Sequence, residues 1–151
     1  MKKYLLALLL SLGGTSVSAS SEIFEFKAGK VSWFVVNDGV MGGLSSSGVK
    51  VVDGLLEFSG RVRLENNGGF ASVRSMPRAR GKPGAQTCLI EVRAAGQRFK
   101  LSLLTDDGFD SLNYQTPFEP ATADWQVLHL QLAAFQANFR GKDVPGAPAL
   151  D

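Results

Sequence analysis

The side chains able to do chemistry are few, and they lie in three short stretches plus two isolated positions. The first stretch is Trp33-Phe-Val-Val-Asn-Asp-Gly-Val-Met-Gly-Gly-Leu-Ser-Ser-Ser47. It carries one carboxylate, Asp38, beside Asn37, then Met41, the pair Gly42–Gly43 and a run of hydroxyls beginning at Ser45. Asn-Asp-Gly is turn chemistry that tolerates positive φ. The glycine pair lets backbone approach a ligand or turn sharply. The stretch lacks the Gly-x-x-x-x-Gly-Lys-Ser/Thr pattern of a phosphate loop, and no helix follows to point its N-terminus at an anion. Locally a structural loop is favoured over a ligand loop, with Asp38 accepting backbone N–H bonds that fix its own turn.

The second stretch is Glu65-Asn-Asn-Gly-Gly-Phe-Ala-Ser-Val-Arg74. Asn66, Asn67, Gly68 and Gly69 read as a tight hairpin reversal into a strand that starts at Phe70. The amides of Asn66 and Asn67 beside Phe70 and Arg74 also have the makings of a polar cup for sugar hydroxyls, while Phe70 serves equally well as core filling. The third stretch, Thr105-Asp-Asp-Gly-Phe-Asp110, offers oxygen donors of the kind calcium takes. Its spacing misses the EF-hand loop, and Asp-Asp-Gly is a good turn by itself.

Catalytic constellations are thin. The single histidine, His129, falls inside an alternating strand with no Gly-x-Ser-x-Gly nearby to supply a nucleophile. One histidine and one cysteine do not make a zinc site. Cys88, in Thr87-Cys-Leu-Ile-Glu-Val-Arg93, shares a strand face with Ile90 and Val92, and reads as buried and inert. Paired carboxylates of a glycosidase need only meet in space, but nothing points to them. We expect no enzyme, no cofactor and no metal.

The elements that must position these residues are strands. From Ser20 onward short β-like runs are separated by Gly, Asn, Asp and Pro, without a 3.6-residue stripe. Candidates are Ile23–Phe26, Val31–Val36, Val49–Val52, Leu55–Glu65, Phe70–Arg74, Thr87–Ala94, Phe99–Thr105, Leu112–Thr116 and Trp125–Leu132. In the last, Leu128, Leu130 and Leu132 share a face, and Phe99, Leu101 and Leu103 do so in their own run. Trp33 and Trp125 read as core residues before stacking platforms. Asn37–Ser47, Met76–Gln86 and Arg140–Asp151 read as loops. Strands at roughly ten-residue spacing without crossover helices predict antiparallel pairing in an all-β, jelly-roll type of sandwich.

Ahead of these strands, Lys2 and Lys3 precede the apolar run Tyr4-Leu-Leu-Ala-Leu-Leu-Leu-Ser-Leu-Gly-Gly14, and Val17 and Ala19 supply small residues for a signal peptidase. Residues 1–19 are expected to be a signal peptide and 20–151 a single domain, exported to the periplasm or secreted. The whole chain carries a formal charge of +2 from 16 basic and 14 acidic residues. Removing two lysines brings it to zero, so the argument for nucleic-acid binding fails. At 44% hydrophobic and 20% charged the composition is globular, not disordered. After the leader no apolar run nears the roughly 20 residues that cross a bilayer.

Taken together, Trp33-x-x-Val-Asn-Asp-Gly-Val-Met-Gly-Gly-Leu-Ser45, Phe58-Ser-Gly60 and Leu64-Glu-Asn-Asn-Gly-Gly-Phe-Ala-Ser-Val-Arg74 strongly resemble the complex I intermediate-associated protein 30 family. So do Tyr114-Gln-Thr-Pro-Phe118, Asp124-Trp-Gln126, Phe135 and Phe139-Arg-Gly-Lys142. The resemblance implies a galactose-binding-domain-like sandwich, and its mitochondrial members are assembly factors for NADH:ubiquinone oxidoreductase, not enzymes. Members usually continue past the region of Asp151 into a further β segment, which implies a chain short of its last strand or strands and a sheet edge left unpaired.

The reading is an exported, non-catalytic module that binds a protein partner or a carbohydrate. Its signature surface is Asn37, Asp38, Met41, Gly42, Gly43 and Ser45 with Asn66, Asn67, Gly68, Gly69 and Phe70. The alternative is an assembly or chaperone-like factor for a respiratory or envelope complex, and a glycan- or ester-acting enzyme stands third.

Overall fold

Alternation of apolar and polar side chains becomes alternation of buried and exposed ones in the computed structural model, which describes residues 32–75, 84–94, 96–105 and 111–150. Within these residues ten strands run in chain order: β1 (Trp33–Asn37), β2 (Ser46–Val52), β3 (Leu55–Arg61), β4 (Ala71–Ser75), β5 (Thr87–Val92), β6 (Phe99–Leu104), β7 (Asn113–Phe118), β8 (Gln126–Gln131), β9 (Gln136–Phe139) and β10 (Lys142–Asp143). Every ladder among these strands is antiparallel: β1 with β4, β2 with β3, β5 with β8, and a four-stranded sheet in the order β10-β9-β7-β6. Among the described residues the only helical pieces are three 3₁₀ turns. The expected all-β antiparallel sandwich is the architecture found. The leader, the run Ile23–Phe26, residues 76–83 of the basic loop and the carboxylates Asp106, Asp107 and Asp110 lie outside the described residues.

The core forms where β5 and β8 face β6 and β7. Cys88, Ile90 and Val92 point inward from β5 together with Phe118, and Phe99, Leu101, Leu128, Leu130 and Leu132 pack around them. The rings of Phe99 and Phe118 stack with centroids 5.5 Å apart. Each fully buried aliphatic side chain here contributes about 1.5–3 kcal/mol. Burial without a polar partner pushes the Cys88 thiol up to about 11, so it stays protonated and unreactive, as its strand position implied. His129 takes the outward face of β8.

Turn chemistry closes two tight hairpins. Asp53 (φ 52°) and Gly54 (φ 76°) link β2 to β3 with Val52 opposite Leu55, both residues taking the left-handed conformation that matches strand twist. Arg140 and Gly141 do the same between Phe139 and Lys142, and the Gly141 N–H donates to the Asn138 side-chain oxygen at 3.0 Å.

Several expectations need correcting. Residues 140–151 are not loop throughout, because β10 lies there, and β9 was not foreseen at all. Both are too short for alternation to register. The run Leu55–Glu65 leaves its ladder after Arg61, and Asn66–Gly69 do not close a hairpin, since β3 pairs with β2 whereas β4 pairs with β1. Trp125 is not a core residue. It is 37% exposed, immediately before β8, with the Arg93 guanidinium 5.3 Å from its ring centroid.

The core assignment is checked by denaturation. Ile90→Ala is expected to lower unfolding free energy by about 2–5 kcal/mol, and His129→Ala to leave it within about 0.5 kcal/mol. Equal effects in urea titrations would contradict the inward and outward faces described.

Candidate functional site

At one end of the molecule β1 stops, β2 starts, β3 stops and β4 starts. The connections at this end, residues 38–45 and 62–70, therefore meet, and Asp38 is where they meet. It directly follows β1, where its N–H donates to the Phe70 carbonyl at 3.3 Å as a last rung of the β1–β4 ladder. The chain then tightens into the 3₁₀ turn Asp38–Met41, stopped by Gly42 in the left-handed conformation (φ 87°, ψ 3°). The turn carbonyls are satisfied at once, Gly39 by the Gly42 N–H at 3.1 Å and Asp38 by the Gly43 N–H at 3.0 Å.

The Asp38 carboxylate, 1% exposed, accepts four hydrogen bonds. Oδ1 takes the Ser45 N–H at 2.9 Å. Oδ2 takes the Ser45 hydroxyl at 2.5 Å, the Gly69 N–H at 2.6 Å and the Phe70 N–H at 3.2 Å. A carboxylate stripped of water without a cation beside it survives only when donors fill its lone pairs. The Ser45 hydroxyl, opposed by desolvation and helped by the N–H groups of Gly69, Ser45 and Phe70, holds this carboxyl down at about 2, below its ordinary 3.8. Ser45 extends the bracing, because its hydroxyl oxygen also accepts the Arg63 N–H at 3.0 Å. That bond lies just past the last pair of the β2–β3 ladder, Ser46 with Arg61. Beside it, the Ser47 hydroxyl donates to Asn37 Oδ1 at 2.6 Å.

Two of the glycines are required by this carboxylate. A methyl on Gly43 would land on the Asp38 carboxyl group, and one on Gly68 would sit 2.7 Å from Oδ2 and 2.8 Å from the Arg63 carbonyl. In the second loop Asn66 and Asn67 both take positive φ (56° and 57°), which asparagine tolerates best among non-glycine residues. Asn66 donates its side-chain N–H to the Gly42 carbonyl at 3.2 Å, a second tie between loops. The eleven residues singled out in the sequence are thus gathered in one place. Asn37, Asp38, Gly43, Ser45 and Gly68 are its buried or half-buried frame. Met41, Gly42, Asn66, Asn67, Gly69 and Phe70 are exposed, and Phe70 does not fill the core.

Beside the exposed Arg63, Glu65, Asn66 and Asn67, the frame presents large apolar side chains to solvent. Val40 is 81% exposed, Met41 74% and Leu64 78%, joined by Leu44 and Phe70. Val40, Leu44 and Leu64 were missed in the sequence. The signal was present as aliphatic residues set among glycines, serines and asparagines, where no strand face could bury them.

Asp38 is unsuited to general acid or base work, being buried, fully bonded and ionised far below neutrality. His129 and Cys88 lie away from it on opposite faces of the β5–β8 pair. Among the described residues no group of three His, Cys, Asp or Glu is placed to hold a metal ion, and no helix is long and apolar enough to cross a membrane. A separate open depression of about 380 Å³ lies between β7, β9 and residues 143–149, lined by Tyr114, Phe135, Gln136 and Asp143 among others. Its wall is tied by the Tyr114 hydroxyl donating to the Pro148 carbonyl at 2.7 Å.

The bracing has a pH signature. The folded pKa of Asp38 is depressed, so its stabilisation is complete above the unfolded value near 4 and is lost as pH falls towards about 2. Asp38→Asn, which turns an N–H₂ towards donors, is expected to lower the melting temperature at pH 7 and to narrow its gap to the unsubstituted protein as pH falls from 4 to 2. A gap independent of pH would contradict the bonding described. Gly43→Ala should destabilise by about 1–3 kcal/mol through overlap with the same carboxyl group, measured by urea unfolding.

The sequence model of the family described as Complex I intermediate-associated protein 30 (CIA30) matches residues 24–151, a span that takes in both loops and every strand described above. No curated protein and no solved structure matches the chain. Fold, loop pair and family match agree, and the chain belongs to the CIA30 family.

Proposed function

We propose that this chain is an exported, non-catalytic module that docks a protein partner through the loop pair framed by Asp38, as an assembly factor does. The observation that carries the reading is the division of labour within the loops. Most of their polar groups bond to one another, and beside the paired Arg63 and Glu65 and the Asn66 and Asn67 side chains the outward groups are Val40, Met41, Leu44, Leu64 and Phe70. Exposed apolar side chains carried on neighbouring loops that are tied to each other are the usual composition of a docking surface. The family name, association with complex I intermediates, supports a protein partner.

A sugar would find a poorer fit at this surface. Carbohydrate sites offer free amides and carboxylates around an aromatic face. Here the Asp38 carboxylate is enclosed and the Asn66 amide is engaged, leaving the Asn67 amide and the Phe70 ring. An enzyme reading fares worse still, since the carboxylate that centres the site cannot exchange a proton near neutral pH. Export rests on the leader-like residues 1–19, and it places the partner in the cell envelope or beyond.

The test is affinity purification of the tagged chain from its native host, with periplasmic, secreted and cytoplasmic fractions kept apart. The chain is expected in an exported fraction beginning at Ser20, together with subunits of a respiratory or other envelope complex. The double variant Met41→Asp/Leu64→Asp should lose those subunits while keeping its melting temperature, because both side chains are already in water. Equal recovery by the variant would refute docking through the loops, and a chain found only in the cytoplasm would refute export.

A further inference from the structure

The apolar crown is bordered by an uneven distribution of charge. Arg61, the last residue of β3, stands opposite Ser46 in the β2–β3 ladder, two residues beyond Leu44, and it precedes Leu64 by three. It is exposed, and among the described residues it has no ion-pair partner. Its neighbour Arg63 is matched: the guanidinium reaches Glu65 Oε1 through Nη2 at 2.6 Å and Nε at 3.1 Å. The carboxylate of Asp38 lies beneath the crown but is enclosed and held by four hydrogen bonds, so it offers Arg61 nothing. Arg61, Arg63 and Glu65 together leave one positive charge in excess at the edge of the aliphatic surface.

This pattern has a complement. The guanidinium is weakly hydrated for a cation and binds carboxylates in a fixed, two-pronged geometry, which suits it to the border of an apolar contact. A charge at the border selects among partners and speeds encounter more than it tightens the complex. The open depression near Tyr114 is elsewhere, and the exposed apolar side chains come from two loops, Val40, Met41 and Leu44 from one and Leu64 and Phe70 from the other, which suits a chain segment laid across both.

Resting on the docking reading above, we infer that the segment recognised is an acidic, apolar peptide of a partner protein, with aliphatic or aromatic side chains covering Met41 and Leu64 and a carboxylate meeting Arg61. The experiment is selection from a random-peptide display library on the purified full chain, with counter-selection on Met41→Asp/Leu64→Asp. Recovered peptides are then titrated by calorimetry against the unsubstituted protein, Arg61→Lys and Arg61→Glu. Enriched peptides should combine Leu, Ile or Phe with Asp or Glu. Arg61→Glu should weaken them about fivefold, an effect that shrinks at high salt, and Arg61→Lys, which keeps the charge and loses the two-pronged geometry, should fall between the two.

Loop-dependent peptides that are neutral or basic, or that bind Arg61→Glu as tightly as the unsubstituted chain, would overturn the acidic assignment and leave the docking reading intact. No peptide distinguishing the double variant would overturn the docking reading itself. Binding of the chain to phosphatidylglycerol vesicles, or its self-association, abolished by Met41→Asp/Leu64→Asp would assign the crown to a membrane or to a second copy and overturn the inference.

Discussion

One enclosed carboxylate organises the end of this molecule that carries its family signature. Asp38 gathers three backbone N–H groups and a hydroxyl from two connections far apart in sequence, and the rest of the arrangement follows from its size and charge. Neighbouring backbone must pass close enough to donate, which excludes a β-carbon at Gly43 and Gly68. Donors must converge, which fixes Ser45 and the left-handed pair Asn66 and Asn67. Water must be kept out, which the close approach of the two loops provides. An ion without a counter-ion is costly to bury. Hydrogen bonds from fixed dipoles offset that cost, and they do so only while both loops keep their present shape.

Much of this was legible in the residues. Alternation located the inward faces of β5, β6 and β8, and turn residues marked their limits, because burial imposes a two-residue period that composition cannot hide. The loops too were marked by type, since Asn-Asp-Gly, paired glycines and Asn-Asn-Gly-Gly have few other uses. What could not be read was the pairing between them. Asp38 was expected to fix its own turn, and it does so through Ser45. Its equal commitment to Gly69 and Phe70 depends on β1 lying beside β4, a long-range fact with no local trace. For the same reason Asn66–Gly69 looked like a hairpin reversal, when it carries the chain from one ladder to another. Trp125 misled in the opposite way, since size and apolarity predict burial while an adjacent arginine can cover the ring instead.

The match to the CIA30 family and the geometry say different things, and both are needed. Sandwiches of this kind carry many functions, so architecture alone assigns none. Five of the eleven signature residues, Asn37, Asp38, Gly43, Ser45 and Gly68, are frame, and a frame of this sort explains why such a pattern can be long on structural grounds alone. Aliphatic side chains held out from it, and a single unmatched arginine at its border, are where recognition is expected to reside.

The Asp38 to Gly69 bond spans 31 residues, and the β2–β3 hairpin lies wholly inside that span. In folding terms this sets an order. The hairpin closes a two-residue turn, whereas the carboxylate returns nothing until a long loop has been closed and β1 has found β4. The signature end of the molecule is therefore expected to be completed after the hairpin it encloses, and the crown of Val40, Met41 and Leu64 to take shape with that closure.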